Sequence, residues 1–220
     1  MERIELDERA PRPDRIEAIV AHLSRGRLGA VATDTSWSLV TSALDTSGAN
    51  RLAGLRATPS RGDDRRPMSL LCSDLAMAGT YAILDQQQFR LARRLLPGPY
   101  TLILPASRAV PRRLQTKRRA IGIRIPDTAW LLDVIARCEA PLFATTARGP
   151  SGEALSASPE VEDAWGRSID FLVETRPIRA QASTVVDLTS GTPVVLRAGA
   201  GAIEDDWTQA TDEEIGRAHV

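Results

Sequence analysis

The chain has 220 residues, 43% of them hydrophobic and 25% charged, which suits one globular domain with a sizeable core. The first fifteen residues are charged and lack the apolar stretch of a signal peptide, and no later apolar run is long enough to cross a bilayer. We therefore expect a cytoplasmic protein. Cys72 and Cys138 stand singly in apolar runs with only two histidines in the chain, which predicts reduced cysteines and no protein-bound metal.

Basic and acidic side chains balance at 28 each, but they are unevenly distributed. Basic residues far outnumber acidic ones between 51 and 124, and acidic residues are concentrated in the last third. A neutral molecule can therefore carry a basic face that binds a polyanion, and the alternative is a set of solvated helix faces. The candidate RNA-binding residues in this stretch are Arg65, Arg66, Arg112, Arg113, Lys117, Arg118 and Arg119.

Apolar periodicity and turn residues divide the chain into helices and strands. An amphipathic helix at 15–24 ends at Gly26, which suits the left-handed conformation of a helix terminus. A strand at 28–33 then runs into a polar loop, and strand ends of this kind often carry sites. The later predicted elements are, in chain order, helix 50–57, loop 60–66, strand 68–72, helix 85–96, strand 100–104, strand 121–125, helix 130–138, strand 141–146, helix 159–165 and strands 171–174, 184–188 and 194–197.

This irregular alternation predicts an α/β protein, a single domain with a twisted mixed sheet and helices on its faces, and disfavours a strict βαβ repeat. We expect the domain to span 14–201. The segment 1–13 is expected to be flexible, and the acidic tail 202–220 to be mobile.

Five short segments, spread over nearly the whole chain, carry a family resemblance. They are 33–35 (Thr-Asp-Thr), 96–102 (Leu-Pro-Gly-Pro-Tyr-Thr-Leu), 122–126 (Gly-Ile-Arg-Ile-Pro), 183–187 (Ser-Thr-Val-Val-Asp) and 196–199 (Leu-Arg-Ala-Gly). In this order and approximate spacing they resemble the signature segments of the YrdC-like family. Segments 67–75 and 110–114 resemble its YciO-type branch.

The resemblance implies a twisted mixed sheet around a concave, positively charged cleft associated with double-stranded RNA, ATP and L-threonine. In the synthase members, threonine and bicarbonate form a carbamate that attacks the α-phosphate of ATP. The product, threonylcarbamoyl-AMP, is used to modify tRNA. Such chemistry needs hydrogen-bond donors around a charged phosphoryl transition state and a magnesium ion on the triphosphate.

Individual residues match the family's site positions. Thr33, Thr35 and Arg124 match residues at the amino-acid end of the cleft, although turn capping is an alternative role for the two threonines. Arg124 lies between two isoleucines of a strand, so it points away from both. The resemblance places the nucleotide near Arg56, Thr58, Thr146, Ser183 and Arg197. No catalytic residue is assigned, and Asp34 and Asp187 are given no role.

Two departures from the synthase pattern affect the predicted reaction. The synthases hold the triphosphate with a Lys-x-Arg-Pro segment, whereas this chain has Arg56-Ala57-Thr58-Pro59. Arg148 also stands where the synthases have an asparagine. The resemblance therefore implies a nucleotidyltransferase that forms the adenylate weakly, or an enzyme that acts on a threonylcarbamoyl-adenosine-type substrate in the reverse or hydrolytic direction.

A binding module without catalysis is the alternative function. The basic middle of the chain would then hold the phosphate backbone of tRNA or double-stranded RNA. Aromatic residues make up only 4% of the chain, which disfavours stacking on unpaired bases and favours folded or duplex RNA.

Overall fold

The computed structural model describes residues 1–56, 69–110 and 119–210. The strands of this part are β1 (Glu2–Glu5), β2 (Gly29–Ala32), β3 (Trp37–Ser42), β4 (Ser69–Leu71), β5 (Tyr100–Pro105), β6 (Ala120–Arg124), β7 (Leu142–Thr146), β8 (Phe171–Glu174), β9 (Thr184–Asp187), β10 (Val194–Arg197) and β11 (Thr208–Gln209). The helices are α1 (Pro13–Ser24), α2 (Thr46–Arg56), α3 (Leu75–Tyr81), α4 (Gln86–Leu95), α5 (Ala129–Arg137) and α6 (Ser158–Trp165).

The strands form one mixed sheet in the order β1-β8-β2-β3-β7-β4-β6-β5-β9-β10-β11. The sheet contains parallel pairs such as β4 with β6 and antiparallel pairs such as β5 with β6. The predicted fold class, an α/β domain with a twisted mixed sheet and helices on its faces, is confirmed.

Two hydrophobic clusters cover opposite faces of the sheet, as the alternation of side chains along a strand requires. The larger cluster takes Ala30 and Ala32 of β2 and packs against α2, α3, α4 and α6. The smaller cluster takes Val31 of the same strand and packs against α1 and α5. Both faces therefore carry helices, but the smaller cluster is centred on β8, β2, β3 and β7.

Local sequence signals fix several helix ends. Gly26 has a φ of +68° and donates its backbone N–H to Leu23 O at 2.9 Å, which confirms the predicted terminator of α1. The Asp85 carboxylate accepts the N–H groups of Gln87 and Gln88, both at 2.8 Å, and the Gln88 side chain accepts the Asp85 N–H at 2.8 Å. This reciprocal capping box starts α4.

The structure corrects the predicted boundary at the N-terminus. Glu2–Glu5 pairs in parallel with β8, and Ile4 is buried in the smaller cluster, so the sheet begins before residue 14. A four-residue edge strand with a single buried side chain has too little periodicity to be recognised from sequence. At the other end of the chain, Trp207 is buried in the larger cluster, so the segment 202–210 packs on the domain.

Three further elements were not predicted, namely β3, α3 and β11. β3 (Trp37–Ser42) is buried along its whole length although half of its residues are serine or threonine, and α3 (Leu75–Tyr81) contains a glycine that weakens a helical pattern. α2 begins at Thr46, four residues before the predicted start. The predicted loop 60–66 lies outside the described residues. None of the helices in the described ranges is long and apolar enough to span a membrane.

Candidate functional site

Polar and small side chains replace the apolar ones on one face of the sheet, along β6 and β5. Leu102 and Ile123 belong to the larger cluster, so their neighbours Thr101, Gly122 and Arg124 point to the opposite face. A Cβ added at Gly122 would lie 3.0 Å from the Ser69 hydroxyl and 3.3 Å from the Thr101 methyl group. Glycine therefore lets these neighbouring side chains approach closely.

Arg124 connects two distant strands across this face. It ends β6, and its Nη2 donates to Thr33 Oγ1 at 3.2 Å and to the carboxylate of Asp34, both just after β2. Three strands separate β2 from β6, and in a flat sheet that separation is roughly 19 Å at about 4.8 Å per strand. The sheet must therefore curve strongly, and these residues lie on the inside of the curve.

Thr33 organises the turn that carries these contacts. Its hydroxyl donates to Ser36 O at 2.7 Å and lies within 3.3 Å of the N–H groups of Thr35 and Ser36. With Arg124 Nη2 and the Thr35 hydroxyl also within hydrogen-bonding distance of it, this oxygen has no capacity left for a ligand. Turn capping, the alternative role considered for the threonines, therefore describes Thr33 well.

Thr35 is held in the same turn but retains hydrogen-bonding capacity. Its carbonyl accepts the Gln181 N–H at 2.8 Å, which ties the turn to the segment before β9. Its hydroxyl lies 3.4 Å from that of Thr33. Because the Thr33 proton goes to Ser36 O, the Thr35 hydroxyl is the donor in this pair, and its oxygen is left as an acceptor.

The guanidinium of Arg124 is buried, with a side chain only 6% exposed. Burial lowers the pKa of Arg124, and the charge and hydrogen bond of Asp34 oppose that shift. Its Nε is buried without an acceptor anywhere in the described ranges. A buried N–H of a charged group without a partner is costly, and an acceptor supplied by a bound ligand is one explanation for it.

A second polar group lies beside the first. Thr101 and Ser183 bring their hydroxyl oxygens to 2.8 Å, and Arg197 donates through Nε and Nη2 to Ser183 O at 3.1 and 2.7 Å. Arg197 Nη2 also lies 3.1 Å from Ser183 Oγ. Two hydroxyls and a guanidinium form a set that can bind a phosphate or a ribose.

The strand register joins the two groups. β5 and β6 pair Leu102 with Ile123, which places Thr101 opposite Arg124, and β5 and β9 pair Thr101 with Val185. One polar surface therefore runs from Asp34 and Arg124 through Thr101 to Ser183. Thr101 was not predicted as a site residue, although its place two residues after Pro-Gly-Pro at the start of a strand was a usable signal.

The other predicted nucleotide residues that the structure describes lie on other elements of the fold. Thr146 ends β7, is half-buried and pairs with Ser38. Arg56 ends α2, and Thr58 lies outside the described residues. Arg148 donates through Nη1 to Gly152 O at 2.8 Å and accepts the Trp165 indole N–H at its carbonyl, and its Nε is buried without an acceptor among the described residues.

Of the predicted RNA-binding residues, only Arg119 lies in the described ranges. It is exposed, with a φ of 56°, at the start of β6. The other six, Arg65, Arg66, Arg112, Arg113, Lys117 and Arg118, lie outside those ranges. The structure therefore neither groups these residues nor separates them.

Metal-binding and thiol chemistry have little support in the described part of the chain. It contains no group of three or more histidine, cysteine, aspartate or glutamate side chains that could hold a metal ion. Burial raises the pKa of Cys72 to about 12 and that of Cys138 to about 11, and the charge of Asp74 adds to the effect at Cys72. Neither thiol is therefore a nucleophile near neutral pH.

The fold and the polar surface define a class of protein, a mixed α/β domain with a curved sheet whose inner face presents a buried arginine. The model of the Sua5/YciO/YrdC family, described as telomere recombination, matches residues 21–199. The chain therefore belongs to the Sua5/YciO/YrdC family, and the predicted resemblance is confirmed.

Individual relatives support the same assignment. An uncharacterised protein of Haemophilus influenzae is 32% identical over 87% of this chain and 92% of its own length. YciO of Escherichia coli K12 is 31% identical over 88% of this chain and 93% of its own length. A threonylcarbamoyl-AMP synthase of Pyrococcus abyssi is 28% identical over 87% of this chain but only 56% of its own length.

Solved structures agree. The crystal structure of E. coli YciO has a TM-score of 0.82 at 28% identity and covers 93% of this chain and 98% of its own. P. abyssi Sua5 complexed with L-threonine has a TM-score of 0.85 at 25% identity, covering 96% of this chain and 63% of its own. The fold is thus shared by YciO and by the longer synthase.

Proposed function

We propose that this protein is an enzyme that binds an L-threonine-type amino acid and an adenosine nucleotide on its inner sheet face and acts on a threonylcarbamoyl-adenylate-type substrate. The observation that carries this proposal is Arg124, a buried guanidinium whose Nε has no acceptor in the described part of the protein. A carboxylate supplies the acceptor that Nε lacks, in the planar geometry that guanidinium groups prefer.

The amino acid would bind at the Arg124 end of the surface. Its carboxylate would meet the guanidinium, and the free acceptor of Thr35 suits an ammonium or a hydroxyl group of the same ligand. The relative P. abyssi Sua5, which shares this fold, forms a complex with L-threonine, and that supports the ligand class.

The nucleotide would bind at the other end, where Ser183, Thr101 and Arg197 offer two hydroxyls and a guanidinium. Magnesium would arrive on the phosphates of ATP, since the described residues contain no carboxylate cluster for it. The chain has Arg56-Ala57-Thr58-Pro59 in place of the synthases' Lys-x-Arg-Pro segment, so it lacks one of the two cations with which the synthases hold the triphosphate. We therefore propose weak synthesis, or the reverse or hydrolytic reaction, as the activity.

Calorimetric titration tests the amino-acid half of the proposal. We expect wild-type protein to bind L-threonine, and Arg124→Lys to weaken that binding at least about tenfold, because a lysine cannot supply the two parallel donors. Arg93→Lys is the matched control, an exposed arginine on α4 that should bind like wild type. Equal affinity of wild type and Arg124→Lys, or no binding at all, would refute the proposal.

The nucleotide half needs its own titration. We expect AMP and ATP with magnesium to bind, and bound L-threonine to increase the affinity for ATP if the adenylate can form. Incubation with ATP, L-threonine and bicarbonate tests synthesis, and chromatography of the nucleotides after incubation with threonylcarbamoyl-AMP distinguishes hydrolysis to AMP from the reverse reaction to ATP, which requires added pyrophosphate. A protein that binds neither AMP nor ATP, and that neither forms nor consumes threonylcarbamoyl-AMP, would not be an enzyme of this type.

RNA binding is the second candidate function. It is favoured by exposed arginines in the described ranges, namely Arg90, Arg93, Arg108 and Arg119. Binding of tRNA through such residues would weaken steeply as salt rises, whereas L-threonine binding would change little. A titration of tRNA at two salt concentrations distinguishes the two modes.

A further inference from the structure

We propose that Asp34 is a built-in competitor for the carboxylate site of Arg124, which it occupies in the free protein and must leave when a carboxylate ligand binds. The inference rests on the proposed function for the identity of the ligand. It assigns a specificity role to a residue for which the sequence offered none.

Arg124 Nη2 has all of its hydrogen-bonding capacity in use. This nitrogen has two hydrogens and two acceptors, Thr33 Oγ1 at 3.2 Å and the carboxylate of Asp34. Nε has one hydrogen and no acceptor within the described part of the chain. On the edge of the guanidinium that Nε and Nη2 form, Nε is thus free to donate and Nη2 is not.

A carboxylate ligand needs both nitrogens on one edge of the guanidinium. A carboxylate that binds side-on takes one hydrogen from Nε and one from Nη2, as two parallel bonds. The ligand would find Nε free and Nη2 already filled. It must therefore displace either Thr33 or Asp34 from Nη2.

Asp34 is the partner that can leave. The Thr33 hydroxyl is fixed by its bonds to Ser36 O and to the N–H groups of Thr35 and Ser36. The Asp34 carboxylate has no hydrogen-bond partner other than Arg124 among the residues described. Its side chain is 13% exposed, against 6% for Arg124, so it is the more accessible member of the pair.

The exchange explains how a buried cation stays paired throughout binding. A buried arginine without a counter-ion is strongly unfavourable, and here one carboxylate would replace another. A neutral ligand cannot make that replacement, because it would leave Arg124 without a negative partner. Asp34 therefore selects ligands that carry a carboxylate, and it lowers their affinity by competing with them.

The direction in which Asp34→Asn changes the affinity for L-threonine tests this role. Asp34→Asn keeps the size of the side chain and an oxygen for Nη2 but removes the competing charge, so we expect it to bind L-threonine about tenfold more tightly than wild type. L-threoninamide, which lacks the carboxylate, should gain no such advantage. Asp133→Asn is the matched control, because it removes the charge from an exposed pair with Arg137.

The possible results separate this inference from the proposed function. If wild type binds L-threonine and Asp34→Asn binds it equally or less tightly, the competitor role is overturned and the carboxylate site stands. If neither protein binds L-threonine, both ideas fail. Tighter binding by Asp34→Asn that disappears in the double variant with Arg124→Lys supports both.

A measurement on wild-type protein avoids any effect of the substitution on folding. In a crystal structure of the complex with L-threonine, we expect the ligand carboxylate on Nε and Nη2 of Arg124 and the Asp34 side chain turned toward solvent. A complex in which Asp34 still binds Nη2 would overturn the inference.

Discussion

The two ends of the polar surface hold an arginine in different ways. Arg124 is buried and, among the described residues, donates only to side chains, one of which is the carboxylate of Asp34 with no other partner in that part of the chain. Arg197 donates mainly to a backbone oxygen, that of Ser183, which cannot move without moving the strand. Arg124 can therefore exchange Asp34 for another carboxylate, whereas Arg197 is held rigidly by the backbone of Ser183.

This difference suits the two halves of a reaction that joins a small acid to a nucleotide. A rigid donor set positions phosphate or ribose oxygens, and an exchangeable one admits a charged substrate into a buried site without leaving a charge unpaired. Thr101 links the two ends, because it contacts Ser183 and lies opposite Arg124 in the register of β5 and β6. The comparison therefore predicts unequal responses to mutation.

The largest expected effect is the loss of the buried counter-ion. We predict that Asp34→Ala destabilises the protein by about 3–5 kcal/mol, because it leaves Arg124 charged and unpaired in the interior. Arg197→Ala should cost only about 1–2 kcal/mol, since it removes hydrogen bonds from a half-buried group. Urea denaturation measures both.

A double variant checks the cause of that effect. Adding Arg124→Met to Asp34→Ala should recover part of the stability, since the unpaired charge is then gone. If Arg197→Ala proves more destabilising than Asp34→Ala, the contrast between the two ends is wrong. Asp133→Ala, at the exposed pair with Arg137, is the control and should leave the unfolding curve unchanged.

A smaller effect should appear at the link between the two ends. Thr101→Val keeps the shape of the side chain but removes the hydroxyl that contacts Ser183 Oγ at 2.8 Å. We predict that it weakens AMP binding about fivefold to tenfold and leaves L-threonine binding unchanged, because only the nucleotide end loses a donor. Titration of the variant with each ligand measures the two affinities. An equal loss of affinity for AMP and for L-threonine would mean that the two ends are not separate sites.

The sequence predicted the fold class and most elements because their apolar patterns are strong. The strands at 171–174 and 194–197 were predicted at their observed bounds. Arg124 was singled out because it matches a site position of the family, and its place between two isoleucines of a strand gave the direction of its side chain. β3 was missed because its serine and threonine residues resemble a loop, and they are buried only because strands lie on both sides of it.

The role of Asp34 could not be predicted in the same way. Sequence gives its position in a polar turn but not the curvature of the sheet that brings this turn to Arg124, four strands away. Curvature depends on the twist accumulated over many strand pairs, which is a property of the whole sheet. Thr101 is similar, because its contact with Ser183 follows from the pairing of β5 with β9 across eighty residues of chain.

The smallest predicted effect concerns the pair of Asp170 and Arg51, which lies at the surface and is partly exposed to solvent. Asp170 accepts from Arg51 Nη1 at 2.7 Å and from the Leu28 N–H at 2.8 Å, which joins α2 and the start of β2 to the start of β8. Because both charged side chains are about a third or more exposed, we predict that Asp170→Asn costs only about 1 kcal/mol.

The pH dependence of that cost identifies its origin. Burial alone would raise the pKa of Asp170, but the hydrogen bonds from Arg51 and Leu28 outweigh it, and the pKa is lowered. A lowered pKa in the folded state means that the carboxylate stabilises the protein above its ordinary pKa of about 3.9 and that this contribution is lost as pH falls through the lowered value. The unfolding free energies of wild type and Asp170→Asn should therefore differ at pH 7 and converge in acid. A difference that persists unchanged at low pH would show that the amide disturbs packing and that the charge contributes nothing.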